Sequence, residues 1–242
     1  FAGTKLAALD LTGTSVTSIG DSAFSSCASL ATVDLGVITE LGRGVFSASR
    51  NGGLTSVSFG EGSTALGTYT FSGQNNLETL NLPASMQALT ELGAGVFRGC
   101  SKLASVPFVP TAVGTETFRN CAALTGLDVS RLQTAGDYAF AGCAKLAVSA
   151  LPATATVGAY AFNGCSSIVA LDMPVVQEIG AYAFVGTQLR TVAMPQAKSI
   201  GKFAFAKTQL TGTAGVLTLP DGVEYVGEGA FSGLRSVTAF AV

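Results

Sequence analysis

The sequence of 242 residues contains no histidine and no tryptophan. The absence of histidine excludes Ser-His-Asp and Cys-His catalytic systems and removes the commonest zinc ligand. Only 12% of the residues are charged, and the formal net charge is −2. A nucleic-acid surface needs a concentrated basic stripe, but the nearest approach to a cluster is Lys198, Lys202 and Lys207. We therefore expect no nucleic-acid partner and no enzyme activity.

Long hydrophobic runs are also absent, although 48% of the residues are hydrophobic. No run approaches the roughly 20 apolar residues that a spanning helix needs, so we expect no membrane span. The Gly-x-Gly phrases at 93–95 and 227–229 stop short of the full phosphate-binding motif. No cysteine pair has the spacing of metal ligands. We expect no cofactor and no bound metal.

What the sequence does contain is a repeat built around phenylalanine. The ring recurs at steps of 21 to 26 residues, and a glycine precedes it by four positions wherever the chain extends that far. The phenylalanines are Phe1, Phe24, Phe46, Phe71, Phe97, Phe118, Phe140, Phe162, Phe184, Phe205 and Phe231. The glycines are Gly20, Gly42, Gly67, Gly93, Gly114, Gly136, Gly158, Gly180, Gly201 and Gly227. Units of this length must stack to bury a continuous core.

A second phrase, of the form L-x-x-L-x-L, follows the phenylalanine in many units. It occurs at 30–35, 77–82, 124–129 and 168–173. Its apolar residues alternate with small or polar ones, which predicts a strand with one buried face. We expect the repeat glycine to lie either where φ is positive or where the next coil presses on the backbone. Around it we expect a short second strand, followed by one helical turn at Ala-Phe.

The combined phrase, apolar-Gly-x-x-Ala-Phe-x-x-Cys-x-x-Leu-x-x-Leu-x-Leu, resembles the BspA-like subclass of leucine-rich repeats. The asparagine common in other leucine-rich repeats is absent from its place, as that subclass leads one to expect. The resemblance implies a repeat solenoid, a right-handed superhelix with a parallel β-sheet. Each coil of about 22 residues would add one strand, with short second strands and single helical turns on the other side. We expect residues 1–242 to form a single solenoid of about ten coils, without caps and part of a longer protein.

Three irregular coils carry extra residues, at 46–54, 82–92 and 210–217. Insertions in solenoids map to loops, often on a binding face. We expect a surface excursion at each of these places.

The five cysteines each follow a repeat phenylalanine by three residues. They are Cys27, Cys100, Cys121, Cys143 and Cys165. We expect a buried column of thiols that behave as small apolar residues. Coil spacing is comparable to the Cα separation that a disulfide needs, so the sequence leaves a bridge between neighbours open.

Two groups of residues are candidates for binding a partner. The first is a set of polar residues at outward positions of the strands, expected on a concave face: Asp34, Asn81, Asp128 and Asp172. The second is a set of tyrosines two residues before the repeat phenylalanine: Tyr69, Tyr138, Tyr160 and Tyr182, with Phe203 continuing the column. The tyrosines form either a packed ladder that joins coils or an exposed stripe for a protein or a sugar.

Two functions fit a long surface without catalytic machinery. The first is a protein-binding and adhesion module, whose extracellular or cell-surface location is implied by the resemblance alone. It would bind another protein or a glycan. The second is a structural segment packed within a larger assembly or filament, which would self-associate end to end or side by side.

Overall fold

A computed structural model describes residues 1–49 and 51–241, so Arg50 and Val242 lie outside the described residues. In the described part the chain forms a parallel-strand solenoid of about 11 turns, roughly 22 residues apart. The fold class predicted from the repeat is confirmed.

Most coils contain a three-residue strand, called a long strand below, and a two-residue short strand just before the repeat glycine. The long strands are β1 (Ala8–Asp10), β3 (Thr32–Asp34), β5 (Ser56–Ser58), β6 (Thr79–Asn81), β11 (Ala170–Asp172), β13 (Thr191–Ala193), β15 (Val216–Thr218) and β17 (Ala239–Ala241). The short strands are β2 (Ser18–Ile19), β4 (Glu40–Leu41), β7 (Glu91–Leu92), β8 (Ala112–Val113), β9 (Thr134–Ala135), β10 (Thr156–Val157), β12 (Glu178–Ile179), β14 (Ser199–Ile200) and β16 (Tyr225–Val226).

Strands of the same kind pair in parallel from one coil to the next. The long strands form three sheets, ordered β1-β3-β5-β6, β11-β13 and β15-β17. The short strands form a pair, β2-β4, and a seven-stranded sheet that runs from β7 to β16. Pairing keeps the repeat in register, so Thr32 lies opposite Ser56, which lies opposite Thr79. Equivalent residues of successive coils therefore line up in columns.

The core is built on the column of repeat phenylalanines. From Phe1 to Phe231 each ring stacks on the next, with centroids 5.1 to 5.8 Å apart. Buried aliphatic residues of the strands surround this column in one cluster, from Ile19 to Ala230. Each coil thus buries its apolar side chains against both neighbours, as stacking of incomplete units requires.

The segment at Ala-Phe differs from the expected helical turn. It consists of consecutive hydrogen-bonded turns, and in the described residues α-helix is confined to α1 (Ala84–Gln87). The residue two before the phenylalanine explains the difference, because it has positive φ in coil after coil, for example 56° at Tyr138. A left-handed residue cannot continue a right-handed helix.

Of the two explanations expected for the repeat glycine, positive φ and close contact between coils, the structure supports close contact. Gly158 does not have positive φ, but a Cβ added there would lie 2.6 Å from the carbonyl carbon of Gly136 in the preceding coil. A side chain at this place would force the coils apart.

The irregular coils take different conformations. The insertion at 82–92 contains α1, and the one at 210–217 contains a tight hairpin between Thr213 and Val216. The insertion at 46–54 includes Arg50, which lies outside the described residues. Its remainder is anchored by Gln74, whose side-chain oxygen accepts a hydrogen bond from the Leu54 N–H at 3.0 Å.

Candidate functional site

The first candidate surface is the strand face, defined here as the outward first and third residues of the long strands. Asp34 and Asn81 are exposed on it, and both lie in register with Ser58 between them. The Asn81 side-chain amide donates a hydrogen bond to the Ser58 hydroxyl at 3.1 Å. Asp10 lies opposite Asp34 on β1 and extends the row. The phrase at 6–11, Leu-Ala-Ala-Leu-Asp-Leu, contains the signal that could have found it.

The other two predicted aspartates lie further along the chain and in different surroundings. Asp172 is exposed on β11 between Ala150 and Ala193. Asp128 lies outside a named strand and accepts a hydrogen bond from the Ser130 N–H at 2.8 Å. The hydrogen bonds from Ser130 lower the pKa of Asp128. The four predicted residues thus occupy the same position in four copies of the L-x-x-L-x-L phrase. Of these, only Asp34 and Asn81 lie in the same β-sheet.

These carboxylates do not form a metal site in the described part of the chain. No group of three or more Cys, Asp or Glu side chains there is arranged to hold an ion. The row is spaced by the coils, one side chain per rung, whereas calcium sites gather six to eight oxygens around one point.

The second candidate surface is an aromatic ladder made by Tyr138, Tyr160, Tyr182 and Phe203. Ring centroids are 4.6 Å apart for the first pair, 4.7 Å for the second and 5.2 Å for the third. The two tyrosine pairs are nearly parallel, at 3° and 7°. All four side chains are half-buried. The ring faces are covered by one another, so the ladder presents phenol edges to its surroundings.

The backbone of the ladder is strained. Tyr138, Tyr160 and Tyr182 have φ of 56°, 57° and 58°, which costs a non-glycine residue about 1–2 kcal/mol. A stacked aromatic pair contributes about 0.5–1.5 kcal/mol beyond the area it buries. An internal ring such as Tyr160 makes two such pairs, and these offset the strain. The geometry therefore accounts for the tyrosines as a ladder that joins the coils.

Tyr69 is separate from the ladder, because Gly95 and Glu116 occupy the same place in the next two coils. Its ring lies over Gly95, where an added Cβ would collide with it. The Arg43 guanidinium lies over the other side of the ring, 4.6 Å from its centroid. This is a cation–π contact, worth about 0.5–1 kcal/mol at an exposed site.

Ionic contacts fill the gap between Tyr69 and the ladder. Glu116 pairs with Arg98 at 3.3 Å and with Arg119. The Arg119 guanidinium also lies 4.7 Å from the centroid of the Tyr138 ring and covers the end of the ladder. The stack is thus closed at this end by a cation, and sequence spacing alone did not indicate that contact.

The lysines that come closest to a cluster in sequence are separated in the structure. Lys202 forms an ion pair with Glu228 at 2.7 Å and lies over the Phe203 ring. Lys207 belongs to a different surface, described below, and Lys198 follows the turn before β14. These lysines form no basic stripe.

The five cysteines are buried and unbridged. Each thiol donates a hydrogen bond, of 3.0 to 3.2 Å, to the carbonyl of the phenylalanine in the preceding coil. Burial raises the pKa of the Cys143 thiol to about 12, so the sulfur stays protonated and unreactive. The column is therefore structural, as expected.

The sequence and the fold both resemble those of known leucine-rich-repeat proteins. The family model of the BspA type leucine rich repeat region matches in six copies, over residues 1–125, 109–211 and 198–242. A leucine-rich cell-surface protein from Faecalibacterium prausnitzii aligns with a TM-score of 0.52 and 16% identity, covering 98% of this chain and 82% of that one. A leucine-rich repeat protein from Bacteroides ovatus aligns with a TM-score of 0.52 and 21% identity, covering 93% and 70%. Both likenesses show the fold. Comparison with curated proteins gave no significant match.

The described residues contain no helix with the length and apolar character to cross a bilayer. Leucine-rich-repeat proteins bind other proteins and are typically non-catalytic. The matched segments together span the whole sequence. The stacked phenylalanines and the parallel strands show that the sequence repeat is also a structural repeat. This chain belongs to the BspA-type leucine-rich-repeat family.

Proposed function

We propose that this chain is a non-catalytic protein-binding and adhesion module of an extracellular or cell-surface protein. The strand face carries the proposal, because Asp10, Asp34, Ser58 and Asn81 are aligned in register on one sheet. Parallel rungs about 4.8 Å apart hold such a row at fixed spacing. A surface ordered before binding loses little conformational entropy when a partner docks.

The charge of the strand face indicates the chemistry of the partner. None of the described long strands contains lysine or arginine, whereas Asp10, Asp34 and Asp172 contribute carboxylates. Electrostatic complementarity steers association and selects partners. We therefore propose a protein that presents lysine or arginine side chains to this face.

A glycan is a weaker candidate than a protein for the aromatic ladder. Sugars stack on open aromatic faces, and here the faces of Tyr138, Tyr160 and Tyr182 are covered by their neighbours. The exposed phenol edges can still contribute hydrogen bonds at the margin of a protein interface.

The cell-surface location draws on family membership and on the Faecalibacterium prausnitzii protein, which is described as a cell-surface protein. The experiment that tests the binding role uses beads coated with the purified chain and a panel of immobilised extracellular-matrix proteins. The test variant is Asp34→Lys with Asp172→Lys. The matched control is Glu91→Lys with Glu178→Lys, which reverses the same number of charges at exposed residues of two short strands.

We expect the chain to bind one protein of the panel. The affinity should fall at least tenfold in the strand-face variant and stay unchanged in the control. A further variant, Y138F/Y160F/Y182F, keeps the stacked rings and removes the phenol hydroxyls, so a loss of binding there would move the contact to the ladder. Equal losses in test and control variants would refute the strand face as the binding surface. Sedimentation into concentration-dependent oligomers without binding to any panel protein would favour the structural-assembly hypothesis instead.

A further inference from the structure

The row of long strands is interrupted at two places inside the chain. Between β6 and β11 isolated bridges take the place of long strands, whereas between β13 and β15 both neighbouring coils have a long strand but the two do not pair. Within residues 1–49 and 51–241, β13 pairs only with β11, and β15 pairs only with β17. No strand pair or isolated bridge of the described residues joins β13 to β15. The nearest backbone link is the Thr211 N–H, which donates to the Arg190 carbonyl at 3.3 Å. β13 and β15 therefore lie on either side of this break, each with one unpaired edge.

The inserted residues explain the interruption. Thr213 and Val216 exchange two backbone hydrogen bonds, both of 2.9 Å. The two residues between them, Ala214 and Gly215, have φ of 50° and 83°. Positive φ at both central residues is the geometry of a type I′ hairpin turn. The hairpin uses up the segment that in other coils continues directly into a long strand.

Two connected cavities occupy this place. A slot of about 240 Å³ lies between β13 and β15. It shares Arg190 and Leu210 with a larger cleft of about 970 Å³. The cleft is within the size range of pockets that hold small molecules or short peptide segments. Unpaired strand edges offer a row of N–H and C=O groups to any extended chain that enters.

The cleft is strongly cationic for a chain of net charge −2. Arg190, Lys207 and Arg235 line it, together with hydroxyl and amide side chains, and the described lining residues include no Asp or Glu. All three cations are exposed, and none of them takes part in an ion pair of the described residues. Their charge is thus available to an external anion.

We propose that the slot and the adjoining cleft together bind an extended, acidic peptide segment of a partner protein. One part of the peptide would add as a strand in the slot between β13 and β15, and the rest would lie in the cationic cleft beside it. Its backbone would pair with the strand edge, the mode known as β-strand addition. Its carboxylates would meet Arg190, Lys207 and Arg235, and arginine favours such contacts because it forms two parallel hydrogen bonds with a carboxylate.

Two observations favour a peptide over other anions. The open strand edges supply backbone partners that an oligosaccharide or nucleic acid would not use. The described lining residues also include no aromatic side chain on which a sugar or a base could stack. The cations of the site lie outside the long strands, and the acidic row that carries the proposed function lies on β1, β3, β5 and β6. This inference therefore does not depend on the proposed function.

The test measures fluorescence anisotropy of a labelled decapeptide of alternating glutamate and threonine, titrated with the intact chain at low salt. A triple variant, R190Q/K207Q/R235Q, removes the three cations. The matched control, K5Q/R131Q/K145Q, removes the same charge from exposed residues outside the cleft. A second peptide of the same sequence is N-methylated at alternate residues, which removes backbone donors and keeps the carboxylates. Circular dichroism checks that both variants fold.

We expect the decapeptide to bind, with affinity lowered at least tenfold in the triple variant and less than twofold in the control. Single substitutions should lower it about two- to fivefold each, the range for exposed ion pairs. The N-methylated peptide should bind at least tenfold more weakly than the parent. The proposal is overturned if the decapeptide does not bind, or if the N-methylated peptide binds equally well. It is likewise overturned if a sulfated oligosaccharide binds more tightly and the triple variant loses that binding.

Discussion

Replacement of Phe140 by alanine removes one ring from the middle of the phenylalanine column. The side chain is fully buried, at 0% exposure, and it stacks on Phe118 at 5.7 Å and on Phe162 at 5.1 Å. A buried aromatic ring removes about 150–250 Å² from water, which at about 25 cal/mol per Å² stabilises by about 4–6 kcal/mol. Alanine keeps a small part of this area. We expect the free energy of unfolding to fall by about 3–5 kcal/mol, the range for core phenylalanine truncations.

Urea denaturation followed by circular dichroism measures this loss. The comparison variant is Phe240→Ala, which removes a ring that is 51% exposed and makes one tilted contact with Phe231. About half the area is buried there, so we expect about half the loss, roughly 1.5–2.5 kcal/mol. In a solenoid each unit contacts mainly its neighbours, so hydrogen exchange should rise first in the coils of Phe118, Phe140 and Phe162. Equal losses for the two variants, or a uniform rise in exchange along the chain, would refute the stacked-column reasoning.

Single contacts within and between coils can be tested by substitution or titration. Gly158→Ala places a Cβ against the backbone of the preceding coil and should cost about 1–3 kcal/mol in urea denaturation, whereas Gly222→Ala meets open space and should be nearly neutral. Burial raises the pKa of Cys143 from 9.0 to about 12, so the folded chain holds a proton that the unfolded chain loses. The contribution of this thiol to the free energy of unfolding should be fully present below a pH of about 9 and should fall as the pH rises towards about 12. A free energy of unfolding that stays constant across that interval would contradict the raised pKa of Cys143. Thr12→Ala removes the hydroxyl that donates to Asp10 at 2.6 Å, so the pKa of Asp10 should rise towards its ordinary value in an NMR titration, and an unchanged pKa would show that the bond is not formed.

The fold could be predicted from the sequence because the repeat spacing is itself the structural unit. A ring at each step of about 22 residues stacks only if every coil closes after one step. The L-x-x-L-x-L phrase marks long strands correctly at 32–34, 79–81 and 170–172. At 124–129 the same phrase leaves Gly126 in an isolated bridge, since glycine in a strand interior weakens pairing.

Local backbone conformation was harder to predict than spacing. Two explanations were expected for the repeat glycine, positive φ or close contact between coils, and the structure supports close contact. Positive φ occurs two residues later, where Gly44 and Gly95 alternate with Tyr69 and Tyr138. A sequence does not indicate that a tyrosine accepts a left-handed backbone until its stacking partners are known. The expected helical turn was wrong for the same reason.

The positions of the insertions were predictable from the sequence, but their conformations were not. The positions follow directly from the lengthened steps. One insertion folds into α1 and another into the hairpin at Thr213 and Val216. Stacking of successive coils brings Arg190, Lys207 and Arg235, which are up to 45 residues apart in sequence, to one cleft. In the sequence, the nearest approach to a basic cluster is Lys198, Lys202 and Lys207, but the structure places these lysines on separate surfaces.

The place three residues after the phenylalanine shows why a cysteine repeat need not indicate cysteine chemistry. There Cys143 donates its thiol proton to the carbonyl of Phe118, and Gln74 donates its amide to the carbonyl of Phe46. Thr187 uses its hydroxyl on the carbonyl of its own coil's phenylalanine. Thiol, amide and hydroxyl share only the capacity to donate a hydrogen bond from a buried position, where an unsatisfied carbonyl costs about 1–3 kcal/mol. A buried hydrogen-bond donor accounts for the cysteines at this place without a disulfide or a metal, and Leu234 shows that the place also accepts a side chain with no donor.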